Sequence, residues 1–221
     1  MIKLDYIFID LDGTLLEGKL KHYNCYKDII LKDGGSPLDI DVYWDMKRSK
    51  ITRDVLLEKS NYKSTYNNFL VQWLENIESE KYLYYDELKP NAIDVLNMWG
   101  KYTNKILLIT MRNNHSNLYR QLDNLQIRNF FDEILICKCQ ENSEKYNLVS
   151  DITFERAVVI GDTEHDISLA EKLKIKCIAV TNGLRKKEFL NSDFVEEEIK
   201  YIDIESIINK IYYKQENVFV E

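Results

Sequence analysis

Two carboxylates set two residues apart, Asp10 and Asp12, follow an apolar run near the start of the chain, in the stretch Asp10-Leu11-Asp12-Gly13-Thr14. The run itself, Leu4-Asp5-Tyr6-Ile7-Phe8-Ile9, is rich in β-branched and aromatic residues and stops at a turn signal, so it reads as a buried strand. At the C-terminal end of a strand in an open α/β sheet, both acids would emerge where such sheets bind their ligands. Burying two acidic groups there is costly unless a cation or a hydrogen-bond network compensates them. Taken alone, the same residues also suit a solvated turn. The other positions able to do chemistry have to decide.

Three further elements follow apolar runs of the same kind. Thr110 comes directly after Ile106-Leu107-Leu108-Ile109. Lys145 opens a short helical stretch beyond Ile134-Leu135-Ile136-Cys137. Gly161-Asp162-Thr163-Glu164-His165-Asp166 comes directly after Val158-Val159-Ile160. Singly, each has an ordinary explanation: Thr110 as a helix cap, Lys145 as a solvated helix residue, Asp162 as a capping acid. A hydroxyl, an ammonium and several carboxylates at one sheet edge would together suit a phosphate and a divalent metal ion.

The elements that must position these residues follow from hydrophobic periodicity. Residues 4–9, 105–109, 133–137, 157–160 and 176–180 read as buried strands. Helical period appears over 114–125 and 167–173, with a short helical start at 145–149. Strands alternating with helices imply a parallel sheet covered on both faces. Residues 16–86 break that rhythm with helical patterns, including 66–77 with Phe69, Leu70, Trp73, Leu74 and Ile77 on one face. Lys32-Asp33-Gly34-Gly35 reads as a break, Ser36-Pro37 as a helix start, and Pro90 as the opening of a helix over 91–99. A terminal amphipathic helix is expected over 202–213, followed by a polar tail. The fold class is therefore α/β: a Rossmann-like, doubly wound parallel sheet core from 1–15 and 87–221, with an α-helical cap of 16–86 inserted after the first strand.

The order DxDGT, a Thr at a strand end, a Lys and then GDxxxD resembles the haloacid dehalogenase-like hydrolase superfamily. The likeness is to capped phosphatases of the phosphoglycolate phosphatase and β-phosphoglucomutase type, with 16–86 as a C1-type cap. It extends through Ala170-Glu171-Lys172-Leu173, Ile175-Lys176-Cys177-Ile178-Ala179-Val180 and Thr181-Asn182-Gly183. In the cap only length and helical character match. The resemblance implies that Asp10 is a nucleophile forming an aspartyl-phosphate and that Asp12 is the acid/base. Flanking carboxylates would raise the Asp12 pKa. It implies Mg²⁺ on Asp10, the Asp12 carbonyl and Asp162, with Asp166 acting through water or by orienting neighbours. Thr110, Lys145 and backbone N–H groups of the Asp10–Gly13 turn would hold the phosphoryl oxygens. Lys138 is the rival to Lys145, because Tyr146 stands where the family often has Pro.

Arg112 could reach substrate or pair with an acid on the surface, and the surface reading is preferred. In the cap, Trp44, Arg48, Lys50 and Arg53 are the residues to examine for substrate contacts, against the alternative that Trp44 packs internally and the bases are solvated. His165 is expected to be exposed or to support its neighbours, while His22 and His115 have no identifiable partner. The implied activity is Mg²⁺-dependent hydrolysis of a small phosphomonoester metabolite. Alternatives are a sugar-phosphate mutase using the same phosphoenzyme and a non-catalytic regulatory protein. Dehalogenation fits less well, since it needs neither Asp12 nor a metal.

Composition agrees. The 221 residues, 45% hydrophobic and 30% charged, suit a folded protein with a full core. With 30 Lys and Arg against 37 Asp and Glu, the net charge of −7 argues against general nucleic-acid binding. No stretch reaches membrane-spanning length and no secretory leader is recognisable, so a cytoplasmic location and no membrane partner are expected. The four cysteines are scattered, as in a reducing compartment, and Cys137 and Cys139 read as packing residues at a strand end. By analogy the chain would act as a monomer or weak dimer.

Overall fold

Buried strands along the chain assemble one sheet. The structure is a computed structural model that describes residues 2–138 and 144–213. Its elements run β1 (Leu4–Ile9), β2 (Leu16–Glu17), α1 (Lys19–Lys32), α2 (Ile40–Arg48), α3 (Arg53–Lys59), α4 (Tyr66–Asn76), α5 (Glu80–Leu83) and β3 (Glu87–Leu88). They continue with α6 (Ala92–Trp99), β4 (Thr103–Met111), α7 (His115–Asn124), β5 (Glu133–Cys137) and β6 (Ala157–Gly161). The described chain closes with α8 (Glu164–Leu173), β7 (Lys176–Val180), β8 (Phe194–Glu196) and α9 (Ile204–Ile208).

Six strands pair in the order β5-β4-β1-β6-β7-β8, all parallel. Counting only these strands, that is the doubly wound order, and it reverses direction beside β1, where such sheets open a crevice. Alternation along each strand sends side chains into two cores. Ile7, Ile9, Ile106, Leu108, Val158 and Ile160 pack with α6, α7 and α9. Phe8, Leu107, Ile109, Val159 and Cys177 pack with α8. Both faces are therefore covered, which explains the continuous apolar runs.

Helices α1 to α5 stand between β1 and β4 and have a core of their own, including Tyr26, Ile30, Tyr43, Phe69 and Trp73. The antiparallel pair β2 and β3 carries the chain out of the core and back. Neither short strand was expected, and nor was β8. Two-residue strands leave no periodicity to read, and β8 is only half-buried.

Some local expectations need correction. Ser36-Pro37 starts no helix: Ser36 N–H donates to Ser60 O and Leu38 N–H to Tyr26 Oη, which pins this stretch as a loop. Helix α2 opens instead at Ile40, with the Asp39 carboxylate capping Asp41 N–H at 2.8 Å. Pro90 precedes rather than opens α6, because Asn91 takes a left-handed conformation (φ 65°) as its N-cap. Residues 145–149 keep a single 3₁₀ turn, Lys145–Leu148. The terminal helix is shorter, since α9 passes into a π-turn over Asn209–Tyr213. Cys137 packs at the end of β5 as expected, while Cys139 lies outside the described residues. No described helix is long and apolar enough to cross a membrane.

Phe8 is fully buried in the central strand, stacked on Tyr6 at 5.5 Å and edge-on to Phe154 at 5.7 Å. Phe8→Ala is expected to cost about 3–5 kcal/mol of stability, measured by urea unfolding. A loss below about 1 kcal/mol would mean that β1 is not the sheet's packed centre.

Candidate active site

The parallel pairing of β1 with β6 sets Ile9 against Ile160, so Asp10 and Asp162 leave adjacent strand ends side by side. Asp166 joins them from the first turn of α8. Its carboxylate accepts from Thr163 N–H and Thr163 Oγ1, closing a capping box at the helix start. Carboxylate oxygens of Asp10, Asp162 and Asp166 all lie within 4.8 Å of one another, and all three residues are buried. Lys145 reaches between them, donating to Asp10 Oδ1 and, at 2.7 Å, to Asp166 Oδ1.

Small residues make that crowding possible. Gly13 sits at φ +88°, and a Cβ there would come within 2.1 Å of Asp162 Oδ2. A Cβ at Gly183 would meet the same oxygen at 2.2 Å. Asp162 also accepts from Thr14 Oγ1 at 3.2 Å and Leu184 N–H at 2.5 Å. The Gly13 amide, expected to face a phosphate, donates instead to Leu16 O, and the Asp10 amide donates to Ile160 O. What Gly13 supplies is room for Asp162.

Electrostatics follow from burial and neighbours. Burial pushes Asp10 up to about 7 against the pull of Lys145, with Asp166 and then Asp12 adding to the rise. Burial, Asp10 and Asp166 drive Asp162 well above the carboxylate range. Burial opposes the Lys145 ammonium, but Asp10 and Asp166 outweigh it and keep the group protonated. When ionised, three carboxyl groups carry more negative charge than one ammonium offsets, and a divalent cation fits that donor set.

Asp12 reverses an expectation. Burial favours its neutral form, yet Arg112 and then Lys21 override that and hold it well below the usual carboxylate range. Arg112 grips both Asp12 oxygens at 2.8 and 2.7 Å, and Lys21 donates to Oδ1 at 2.7 Å. The flanking carboxylates do not dominate because two cations stand closer. Arg112 is accordingly no surface residue: it is 3% exposed and also donates to Gln121 Oε1. Asp86 completes the cluster, accepting from Lys21 at 2.6 Å and Gln121 at 2.8 Å. Lys21, Asp86 and Gln121 carry no motif and sit on separate elements, so the sequence offered no signal for them.

Thr110 is 1% exposed, and its hydroxyl has no hydrogen-bond partner among the described residues. It borders a cavity of about 710 Å³ that also touches Asp10, Asp12, Arg112 and Lys145. An unpaired buried hydroxyl beside an ammonium suits an anionic oxygen. Lys138 is exposed on a separate rim beside Asn113 and His115, so the structure brings Lys145, not its rival, to the carboxylates.

The cap roofs this cavity. Glu78 accepts from Asn113 N–H at 2.9 Å and Asn114 N–H at 2.6 Å, docking the cap on the start of α7. Arg48 donates to the core carbonyls of Thr181 and Arg185 and stays out of the cavity. Trp44 packs in the cap's own core. Of the cap candidates, Arg53 borders the cavity, as do Lys47 and His22, which sequence reasoning did not place there. His22 stacks on Trp73 at 5.6 Å, and burial holds it well below its usual pKa. His165 is exposed at the mouth, and His115 is exposed elsewhere.

Residues 6–180 match the family model described as haloacid dehalogenase-like hydrolase. No curated protein sequence matches the chain significantly. Among solved structures, the chain is similar to a haloacid dehalogenase-like family hydrolase from Streptococcus pneumoniae, at TM-score 0.73 and 20% identity, covering 93% of this chain and 98% of that one. A predicted phosphoglycolate phosphatase from Haemophilus somnus superposes at TM-score 0.73 with 15% identity, covering 94% and 99%. A provisionally assigned β-phosphoglucomutase from Thermotoga maritima gives TM-score 0.65 and 16% identity, covering 94% and 100%. At these identities the structures establish the fold.

Removing one cation from the Asp12 cluster leaves a buried charge uncompensated. Arg112→Met is expected to lower stability by about 3 kcal/mol in urea unfolding. A change within about 0.5 kcal/mol, typical of surface substitutions, would refute this arrangement around Asp12.

Proposed function

We propose, for a chain that belongs to the haloacid dehalogenase-like hydrolases, hydrolysis of a small phosphomonoester through a phosphoryl group carried on Asp10. The observation that carries this reading is the joint burial of Asp10, Asp162 and Asp166 around Lys145, beside the unpartnered Thr110 hydroxyl. In the first step an Asp10 oxygen bonds to phosphorus as the bond to the leaving oxygen breaks, and Asp12 supplies that oxygen's proton. In the second step water bonds to phosphorus and gives a proton to Asp12 as the bond between the Asp10 oxygen and phosphorus breaks, releasing phosphate and the free Asp10 carboxylate. The Arg112 and Lys21 contacts fix the direction of the Asp12 carboxylate, and one must loosen before it carries a proton. Thr110 and Lys145 hold the phosphoryl oxygens in line with Asp10.

Asp10, Asp162 and the Asp12 carbonyl would hold Mg²⁺, with Asp166 orienting Lys145 and the start of α8. When bound, the ion neutralises charge between the nucleophile and the phosphate. The docked cap, with 16–86 as its proposed extent, limits the access of bulk water to the chamber. An intact acid set favours catalysis over a purely regulatory role.

Purified protein is expected to release phosphate from an aryl phosphate with Mg²⁺ and not with excess chelator. Asp10→Asn should lower that rate at least about a thousandfold while the protein stays folded by circular dichroism. Full activity in Asp10→Asn would overturn the covalent step. Independently of turnover, Mg²⁺ at a hundred times its dissociation constant should stabilise the wild type by about 2.7 kcal/mol, and Asp162→Ala should lose most of that gain. An equal gain in both proteins would place the metal elsewhere.

A further inference from the structure

Basic residues around the chamber have acidic partners at the core end and, at two positions, none in the cap. Lys21 and Arg112 are balanced by Asp12 and Asp86, and Lys145 by Asp10 and Asp166. Across the chamber, a second cavity of about 250 Å³ opens within the cap and shares Lys47, Arg53, Trp73 and Arg185 with the larger one. Among the described residues four basic ones border this recess, the fourth being Lys50, and no acidic one does. Glu164 pairs with Arg185 at 2.8 Å and with Lys50 at 3.2 Å, which accounts for those two.

Lys47 and Arg53 have no acidic partner among the described residues. Both lie against the Trp73 ring, at 5.6 and 5.7 Å from its centre. Cation–π contact offsets part of the cost of holding them together. It does not remove the mutual repulsion: burial first, then Arg53 and Arg185, push the Lys47 ammonium down to about 7. Tyr43, Leu56 and Phe69 wall the recess with apolar surface, which strengthens any charge interaction inside it. Like-charged groups gathered in such a place are relieved by an anion.

We propose that Lys47 and Arg53, on their Trp73 platform, form a second anion subsite in the cap that receives a carboxylate or phosphate at the far end of the substrate. This rests on the phosphomonoesterase reading and narrows it to phosphoesters of anionic molecules, not neutral alcohols. The core subsite would take the transferred phosphoryl group, and the cap subsite would set which leaving group is accepted.

Calorimetric titration of the whole protein with non-hydrolysable probes tests the subsite without turnover. The probes are ethylphosphonate, phosphonoacetate and methylenebisphosphonate, with homologues lengthened by one and two methylenes. One doubly anionic series is expected to bind at least about tenfold tighter than its neutral-ended counterpart. Which series does so separates a carboxylate from a phosphate partner. Lys47→Met and Arg53→Met, and the milder Lys47→Gln and Arg53→Gln, should each erase most of that advantage. Equal affinity for neutral and anionic probes in the wild type overturns the subsite. So does an advantage that survives in all four variants. Hydrolysis of glycerol phosphate, its glycerate analogue and glycerol bisphosphate with Mg²⁺ separates the two readings. Turnover without preference for either anionic ester over glycerol phosphate sinks the subsite and keeps the phosphatase. An anionic binding advantage, lost in the variants, with no turnover of any of the three sinks the phosphatase and keeps the subsite.

Discussion

Three buried carboxylates within 4.8 Å of one another, with one ammonium reaching two of them, are the constraint to which the surrounding structure answers. Such a cluster repels itself and resists burial, so it persists only where a stiff frame leaves it no room to spread. The frame is the parallel pairing of β1 with β6, which fixes the spacing of Asp10 and Asp162. The capping box at Thr163 holds Asp166, and the missing side chains at Gly13 and Gly183 let Asp162 approach. Excess negative charge then becomes a property of the site that a hard cation relieves.

The Asp12 cluster solves the opposite problem. Lys21 comes from the first cap helix, Asp86 from the return of the cap to the core, and Arg112 from just beyond β4. Two cations and two acids compensate one another there, tying the carboxylate proposed as acid/base to residues of the inserted segment. The contacts that direct Asp12 thus also help to hold the cap on the core. The chamber is divided accordingly: every basic group near the proposed chemistry is paired with an acid, whereas Lys47 and Arg53, proposed for selection, have no acidic partner among the described residues.

Much of the core was legible because its signals are local. Apolar runs marked five of the six sheet strands, and the placement of Asp10 and Asp162 just beyond their ends followed from sequence adjacency, whereas Thr110, expected just after its strand, lies within the last two residues of β4. Lys145 could be preferred to Lys138, although only the fold showed its ammonium among the carboxylates. Local signals failed where the chain turns through short elements. The two-residue strands carry no period, and Ser36-Pro37 has the composition of a helix start but spends its hydrogen bonds on Ser60 and Tyr26.

By itself the sequence determined five strands of the sheet, the insertion of helices after its first strand and the set of acids at its edge, because strand period and motif spacing depend on neighbours along the chain. Tertiary structure alone decided which charges those acids would feel. Arg112 meets Asp12 across 100 positions and Lys21 meets Asp86 across 65, contacts that no local pattern encodes. Electrostatic energy depends on distance in space and on burial, and both exist only once the chain has folded.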